Sequence, residues 1–131
     1  AAQEGLTFLH PFDNLDVMAG QGTMGLEIIE QAPDLEAVVV PVGGGGLLSG
    51  VGTVIKAMKP SVRVIGVEPD HAACYAAALA AGAPVTVPLA PTLADGLAVA
   101  LVGTHPFAVL REVVEARGRG LGCVTFLRRI V

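Results

Sequence analysis

The sequence predicts an α/β fold: an open, mainly parallel sheet with flanking helices. Two short runs of β-branched residues, 38–42 and 62–67, have the pattern of buried strands. Each run is followed by a segment in which apolar residues recur at helical spacing. Strands that alternate with helices pair in parallel, because each helix returns the chain to the same end of the sheet.

Length and composition fit one domain with an extensive apolar core. The chain has 131 residues, of which 53% are hydrophobic and 15% are charged, whereas about a quarter is charged in an average soluble domain. Residues 1–115 carry all the acidic side chains, so we expect no nucleic-acid partner. Residues 116–131 carry arginines and no acid, and we interpret them as an atypical basic tail outside the domain of residues 1–115.

Neither a signal peptide nor a membrane span is expected. Residues 1–5 have no basic region and no apolar core. Residues 37–55 carry no charge and are long enough to span a bilayer, but Pro41 and a run of glycines interrupt them. Cys74 and Cys123 are far apart in sequence, which favours a reducing compartment and core packing over a disulfide or a zinc site. We therefore expect a cytoplasmic protein.

A short strand over residues 6–9 and a long helix are expected first. Asp13 or Asn14 can cap this helix, which continues to about Gln31. The helix contains glycines, each of which costs about 1 kcal/mol relative to alanine in a helix interior. We expect close packing against another element at these positions, because a glycine allows two backbones to approach. They are Gly20, Gly22 and Gly25.

The remaining elements continue the alternation. A strand over 37–42 precedes a helix that ends near Lys59 and buries one apolar face, and a strand over 62–67 comes next. The apolar face consists of Leu48, Val51, Ile55 and Met58. Further expected elements are a helix capped by Asp70 and ended by Gly82, an extended piece over 85–87, and a helix from Thr104, as its cap, to about Glu115.

Four consecutive glycines, Gly43 to Gly46, stand between the strand over 37–42 and the helix that follows. Such a unit presents unpaired backbone N–H groups and the positive end of a helix dipole to an anion. Glycine permits a positive φ and leaves no Cβ between the backbone and a ligand. The pattern indicates a phosphate site, and the alternative is a flexible connection without a ligand.

Three kinds of phosphate site can be compared with this loop. A P-loop is excluded, because no lysine follows the glycines at the required spacing. A dinucleotide site is compatible with Gly44 and Gly46 and with Glu68 at the end of the next strand, but Ser49 stands at the third glycine position. The third possibility is a single phosphomonoester, such as pyridoxal phosphate, bound by consecutive backbone amides.

Several blocks of the sequence occur together in the order of a known enzyme family. They are HPFD at 10–13, VMAGQGTMGLE at 17–27, PVGGGGLLSG at 41–50, GVEP at 66–69 and ADG at 94–96. With these blocks, about residues 8–113 resemble the serine/threonine dehydratase and serine racemase family of fold-type II pyridoxal-phosphate enzymes. The resemblance implies that this chain is a central fragment of the large domain of such an enzyme.

The resemblance also implies a set of site residues. Asp95 and Gly96 match a loop that lies near the cofactor and the substrate in the family. The cofactor phosphate would be bound by the backbone amides of Gly43, Gly44, Gly45, Gly46 and Leu47.

A divalent cation site is the least consistent part of the resemblance. In serine racemases the residue that matches Glu68 and the backbone carbonyl that matches Ala72 bind a cation. Cys74 stands where the family supplies a further carboxylate, so a hard cation would lose an oxygen ligand. Residues 70–82 resemble biosynthetic threonine dehydratases more closely, which also argues against a cation at Glu68 and Ala72.

The implied reaction is the β-elimination of L-threonine or L-serine to a 2-oxo acid and ammonia, in a homo-oligomeric parent enzyme. The family's Schiff-base lysine lies in a segment that has no match in this chain. Lys56 lies about 15 Å along the helix axis from the glycines, too far to replace it. We therefore expect no catalytic residue here and no activity of the chain alone. A serine racemase fragment, a dinucleotide-binding domain and a non-catalytic remnant are the alternatives.

Overall fold

The computed structural model describes residues 5–115 and 121–125, and it confirms the α/β class. Helices and strands occur in the order α1 (Leu15–Gln31), β1 (Ala37–Pro41), α2 (Gly46–Met58), β2 (Arg63–Glu68), α3 (Cys74–Ala81), α4 (Thr104–Glu115) and β3 (Leu121–Thr125). Within the described residues, the strands form one parallel sheet in the order β1-β2-β3. No helix in this part of the chain combines the length and the apolar character that crossing a membrane requires.

The core forms where α2 packs on the sheet that it connects. Leu48, Val51 and Ile55 are buried together with Val64 of β2, as the apolar spacing predicts. Met58 is 57% exposed, because α2 ends at this residue. The predicted buried face is therefore correct for three positions and wrong at the last one.

The glycines of α1 allow this helix to cross α2 in backbone contact. A Cβ added at Gly22 would lie 3.2 Å from a valine methyl of α2, and one at Gly25 would lie 3.0 Å from the same side chain. From the other side, a Cβ at Gly50 would approach the Met18 carbonyl oxygen to well under 3.0 Å. Close packing is confirmed at Gly22 and Gly25, whereas Gly20 has open space beside it.

Two neighbouring residues cap two different helices. The Asn14 side chain accepts hydrogen bonds from two backbone N–H groups in the first turn of α1, at 2.9 and 3.1 Å. The Asp13 carboxylate instead accepts bonds from the N–H groups of Thr104 and His105, at 3.0 and 2.8 Å. The prediction that Thr104 caps α4 is wrong, because it is the first residue of that helix and Asp13 supplies the acceptor.

α3 begins later than predicted. A 3-10 turn over Asp70–Ala72 comes first, and the helix starts at Cys74. Its cap is the Glu68 carboxylate rather than Asp70. This carboxylate accepts hydrogen bonds from two N–H groups of the first turn at 2.7 and 2.9 Å. Gly82 ends the helix with a φ of 75°, as predicted.

The prediction of a short strand over residues 6–9 is wrong. Residues 6–9 are irregular and mostly exposed, and no described strand lies beside them. Residues 85–87, expected as an extended piece, pair with no strand in the described part of the chain, and Val87 N donates to Ala100 O at 2.9 Å.

Part of the predicted basic tail forms a strand. β3 lies beside β2 from the pair Val64 and Leu121 to the pair Glu68 and Thr125, although the sequence predicted no strand there. Its five residues include a glycine, which weakens the pattern of a strand. Residues 116–120 and 126–131 of the tail lie outside the described residues, and the domain boundary at residue 115 stays a prediction.

Candidate functional site

The glycine loop leaves the sheet and enters α2 directly. The N–H of Val42 donates to the Val67 carbonyl at 2.8 Å and completes the pairing of β1 with β2. Gly45 has φ of 92° and ψ of −7° and is the N-cap residue of α2. Because a side chain is strained at this positive φ, glycine is required at this turn.

The carbonyl groups of the loop are bound by the protein, and this fixes the direction of its N–H groups. Gly44 O accepts a bond from Gly103 N at 3.0 Å, and Gly45 O accepts bonds from the backbone N and the Oγ of Ser49, both at 2.9 Å. The C=O and the following N–H of a trans peptide point in opposite directions. The N–H of Gly45 therefore points away from Gly103, and the N–H of Gly46 points away from the body of α2.

The first turn of α2 differs from those of the other described helices in its capping. Asn14 caps α1, Glu68 caps α3 and Asp13 caps α4. Within the described part of the chain, Gly45 has no side chain to cap α2, no other side chain accepts a hydrogen bond from its first turn, and the N–H groups of Gly43 to Gly45 make no backbone hydrogen bond. Among the described residues, this helix end therefore has donors and a positive dipole without a protein acceptor.

Phe12 covers one side of the loop. A Cβ added at Gly44 would lie well under 3.0 Å from the Phe12 ring, and one at Gly46 would lie 3.0 Å from the Phe12 Cα. The sequence did not single out Phe12, and its only signal was a place in the HPFD block. These glycines are therefore needed by the packing of the protein itself, in addition to any ligand.

The predicted Asp95–Gly96 loop lies beside the other end of the glycine loop. Both residues are exposed, and Gly96 N donates to the Asp95 carboxylate at 2.7 Å. They belong to a 3-10 turn that ends at Leu97, whose Cα is 3.5 Å from the Cβ position of Gly43. The structure thus brings together the two loops that the sequence assigned to one site.

Glu68 and Cys74 form a buried group behind the loop. Glu68 is 0% exposed, and the Cys74 thiol donates to Gly43 O at 3.4 Å. Burial and the charge of Glu68 raise the pKa of the Cys74 thiol to about 11, so the thiol stays protonated and can donate this bond. The predicted burial of Cys74 is confirmed, whereas the Cys123 side chain lies outside the described residues.

Within the part of the chain that the structure describes, the residues named for a cation do not form a ligand cluster with others. Glu68 binds the first turn of α3, and the N–H of Ala72 donates to Pro69 O at 2.9 Å. Among the described residues, no three His, Cys, Asp or Glu side chains come together. A cation site at Glu68 and Ala72 in a longer protein is implied only by the resemblance and stays untested.

The lysines lie at the end of α2 opposite to the glycines. Lys56 is buried, and its Nζ donates to Val62 O at 2.6 Å and to Pro60 O at 3.3 Å. The Lys59 ammonium donates to Pro33 O. Both ammonium groups therefore bind carbonyls at the C-terminal end of the helix.

A groove of about 510 Å³ lies between α1, α2 and α4. Its hydroxyl groups, from Ser49 and Thr53, donate to carbonyls of the loop or of α2 itself. Because both hydroxyl groups donate to carbonyls and no lining side chain is charged, the groove offers an anion no side-chain donor. The residues that line it are Leu15, Met18, Ala19, Gly22, Ser49, Gly50, Thr53, Val54 and Val109.

These features define an α/β protein with a glycine-rich loop between a central strand and an uncapped helix. Residues 1–122 match the family described as pyridoxal-phosphate dependent enzyme. The chain belongs to this family, whose members use pyridoxal phosphate as cofactor.

Individual relatives agree with this assignment. The L-threonine ammonia-lyase of Thermotoga maritima is 50% identical over 111 residues, which are 85% of this chain and 28% of that protein. The serine racemase of Oryza sativa subsp. indica is 41% identical over 86% of this chain and 33% of that protein. The chain thus spans about a third or less of the length of these relatives.

Solved structures show the same fold. The processed form of threonine deaminase isoform 2 from Solanum lycopersicum matches 95% of this chain, with a TM-score of 0.84 and 44% identity. Maize serine racemase matches the same share with a TM-score of 0.81 and 36% identity. This chain covers 35% and 37% of those two chains.

Proposed function

We propose that this chain is the phosphate-binding part of a pyridoxal-phosphate-dependent threonine or serine dehydratase. The reaction of the longer protein would be β-elimination of L-threonine or L-serine to a 2-oxo acid and ammonia. Support comes from the threonine ammonia-lyase relatives and from the share of their length that the chain matches. Lys56 and Lys59 are bound far from the loop, so we propose that the Schiff-base lysine belongs to a segment outside this sequence.

The uncapped N-terminus of α2 is the observation that carries the proposal. A phosphate dianion there would accept bonds from the N–H groups of Gly45 and Gly46, which are buried residues, and from the neighbouring amides of Gly43, Gly44 and Leu47. The phosphate would cap α2, just as the side chains of Asn14, Glu68 and Asp13 cap the other described helices. No cationic side chain is needed for this role, because the donors are main-chain groups at the positive end of a helix dipole.

Each side of the loop then has a distinct task. Bound pyridoxal phosphate supplies an electron sink that makes the Cα proton of an amino acid acidic. Phe12 presents an apolar ring beside Gly44 and would cover that side of the loop. The turn at Asp95 and Gly96 borders the Gly43 end, where we propose that it contacts the substrate.

Titration of the chain tests the phosphate site directly. We expect pyridoxal phosphate and inorganic phosphate to shift the amide NMR signals of Gly45 and Gly46, and pyridoxal without its phosphate to leave them unchanged. Gly45→Ala should weaken binding, because alanine is strained at a φ of 92°. Gly52→Ala is the matched control on the same helix, since only ordinary contact surrounds that position. Equal shifts with pyridoxal, or none at the loop, would contradict the proposal.

A second candidate function is amino-acid racemisation, which the serine racemase relatives favour. Cys74 distinguishes the candidates, because it replaces a carboxylate that a divalent cation would use. The longest natural form of the protein should be incubated with L-threonine and L-serine. A 2-oxo acid without D-serine supports the dehydratase, and D-serine formation supports the racemase.

We further propose a homo-oligomeric, cytoplasmic parent enzyme that binds neither nucleic acid nor membranes. The acidic character of residues 1–115 and the absence of a paired-cysteine motif support this proposal.

A further inference from the structure

Asp13 connects the N-terminal loop to the start of α4. Its Oδ2 accepts the N–H of Thr104 at 3.0 Å, and its Oδ1 accepts the N–H of His105 at 2.8 Å. The same Oδ1 lies 2.9 Å from the Nδ1 of His105. The backbone of Asp13 is held in turn by His10, whose Nδ1 accepts its N–H at 2.9 Å. Hydrogen bonds therefore hold both the backbone N–H and the side-chain carboxylate of Asp13.

Gly103 connects this cap to the glycine loop. Its N–H donates to Gly44 O at 3.0 Å, one residue before the helix that Asp13 caps. A Cβ at Gly103 would lie 3.0 Å from the Asp13 Cβ and 2.8 Å from Pro106. The residue is therefore enclosed between Asp13 and the first turn of α4, and its position depends on both.

Phe12 adds a second path between the same elements. It precedes Asp13 directly, and its ring lies against Gly44, whose carbonyl Gly103 binds. A displacement of Asp13 would thus move Gly44 from two sides. Because the Gly44 carbonyl and the Gly45 N–H belong to one planar peptide, rotation of the first redirects the second.

We propose that Asp13 is a positioning residue for the phosphate-binding loop and sets the direction of the Gly45 N–H through Gly103. The inference rests on the proposed function, because it assigns the Gly45 amide to a phosphate. Partial burial raises the pKa of Asp13, but hydrogen bonds from the backbone of His105 and Thr104 and from the His105 side chain outweigh it and hold the pKa below 3.8. Asp13 is therefore a carboxylate at neutral pH.

The test compares Asp13→Ala with Asn14→Ala in the full chain. Each variant removes one helix cap, but only Asp13 is connected to Gly103. We expect Asp13→Ala to speed hydrogen exchange of the Gly103 amide about tenfold, the order of effect that loss of a cap produces. It should also shift the Gly45 amide signal without ligand and weaken inorganic phosphate binding by about five- to tenfold. Asn14→Ala should change none of these.

Asp13→Asn provides a second, milder variant should alanine prevent folding. Its side-chain oxygen can accept one of the two N–H bonds, so we expect intermediate values of exchange and affinity. The inference would be overturned if both Asp13 variants had a Gly103 exchange rate and a phosphate affinity within twofold of the values measured for Asn14→Ala. Failure of the unmodified chain to bind phosphate would refute the proposed function instead, while the ligand-free Gly103 and Gly45 signals would still decide whether Asp13 positions the loop.

Discussion

Replacing Gly50 with alanine should force α1 and α2 apart. The added Cβ would lie 2.8 Å from Gly22 N and closer still to the Met18 carbonyl oxygen, and ordinary contact begins at 3.4 Å. Both neighbours are backbone atoms, so no side-chain rotation can relieve the overlap. The whole helix must move, and other contacts between the two helices are lost with it.

The expected cost follows from two opposing effects. Overpacking in a core typically costs about 1–3 kcal/mol, and backbone overlap belongs at the upper end of this range. Alanine in a helix interior is more stable than glycine by about 1 kcal/mol, which offsets part of this cost. We therefore expect Gly50→Ala to lower the free energy of unfolding by about 2 kcal/mol.

Gly52→Ala is the matched control, two residues further along the same helix. Its Cβ would meet only a methyl of Val64, at 3.6 Å, so the helix-propensity gain should stand alone and stabilise the chain by about 1 kcal/mol. Urea unfolding followed by circular dichroism measures both variants against the parent chain. Equal stability of the two variants would refute the assignment of a backbone contact at Gly50.

Three further predictions follow from buried or bound groups. Lys56→Met should lower the free energy of unfolding by about 1–3 kcal/mol, because the carbonyls of Pro60 and Val62 lose a donor; unchanged urea unfolding would contradict this. Iodoacetamide at pH 8 should leave Cys74 unmodified in the native chain, as peptide mass spectrometry can show, since its thiol is buried and has a pKa of about 11; native labelling as fast as in urea would contradict it. Folding lowers the pKa of Asp13 below its ordinary value of 3.8. The ionised Asp13 therefore stabilises the fold above pH 3.8, and this stabilisation disappears as the pH falls through the folded-state pKa. Urea midpoints of the parent chain and Asp13→Ala should therefore differ at pH 6 and converge in acid.

Elements that depend on local pattern were predictable from the sequence. The helix from Asn14 to Gln31 and the strand–glycine–helix unit rest on caps, apolar spacing and turn residues that lie within a few positions of one another. Residues 6–9 have a local pattern that suits a strand but lack a partner among the described strands, so tertiary pairing decided against it. The start of α3 was misjudged because its cap, Glu68, belongs to the end of the preceding strand.

In the candidate site, too, the local motifs were predictable from the sequence, whereas the contacts between distant residues were not. The glycine run and the ADG turn were visible as motifs, and the structure places them side by side. The roles of Asp13, Gly103 and Phe12 were not visible, since each depends on a contact with a residue far away in sequence. Asp13 and Asn14 are equally good caps by composition, and only the position of α4 determines which helix each one serves.

The backbone contact between α1 and α2 also limits how these helices can move. Where main chain touches main chain, no rotamer change can absorb a closer approach, so α2 must follow when α1 is displaced toward it. Gly46 is one turn away from Gly50, and the glycine loop therefore travels with α1 as well as with α2. A molecule that pushes on the outer surface of α1 thus has a direct mechanical route to the loop.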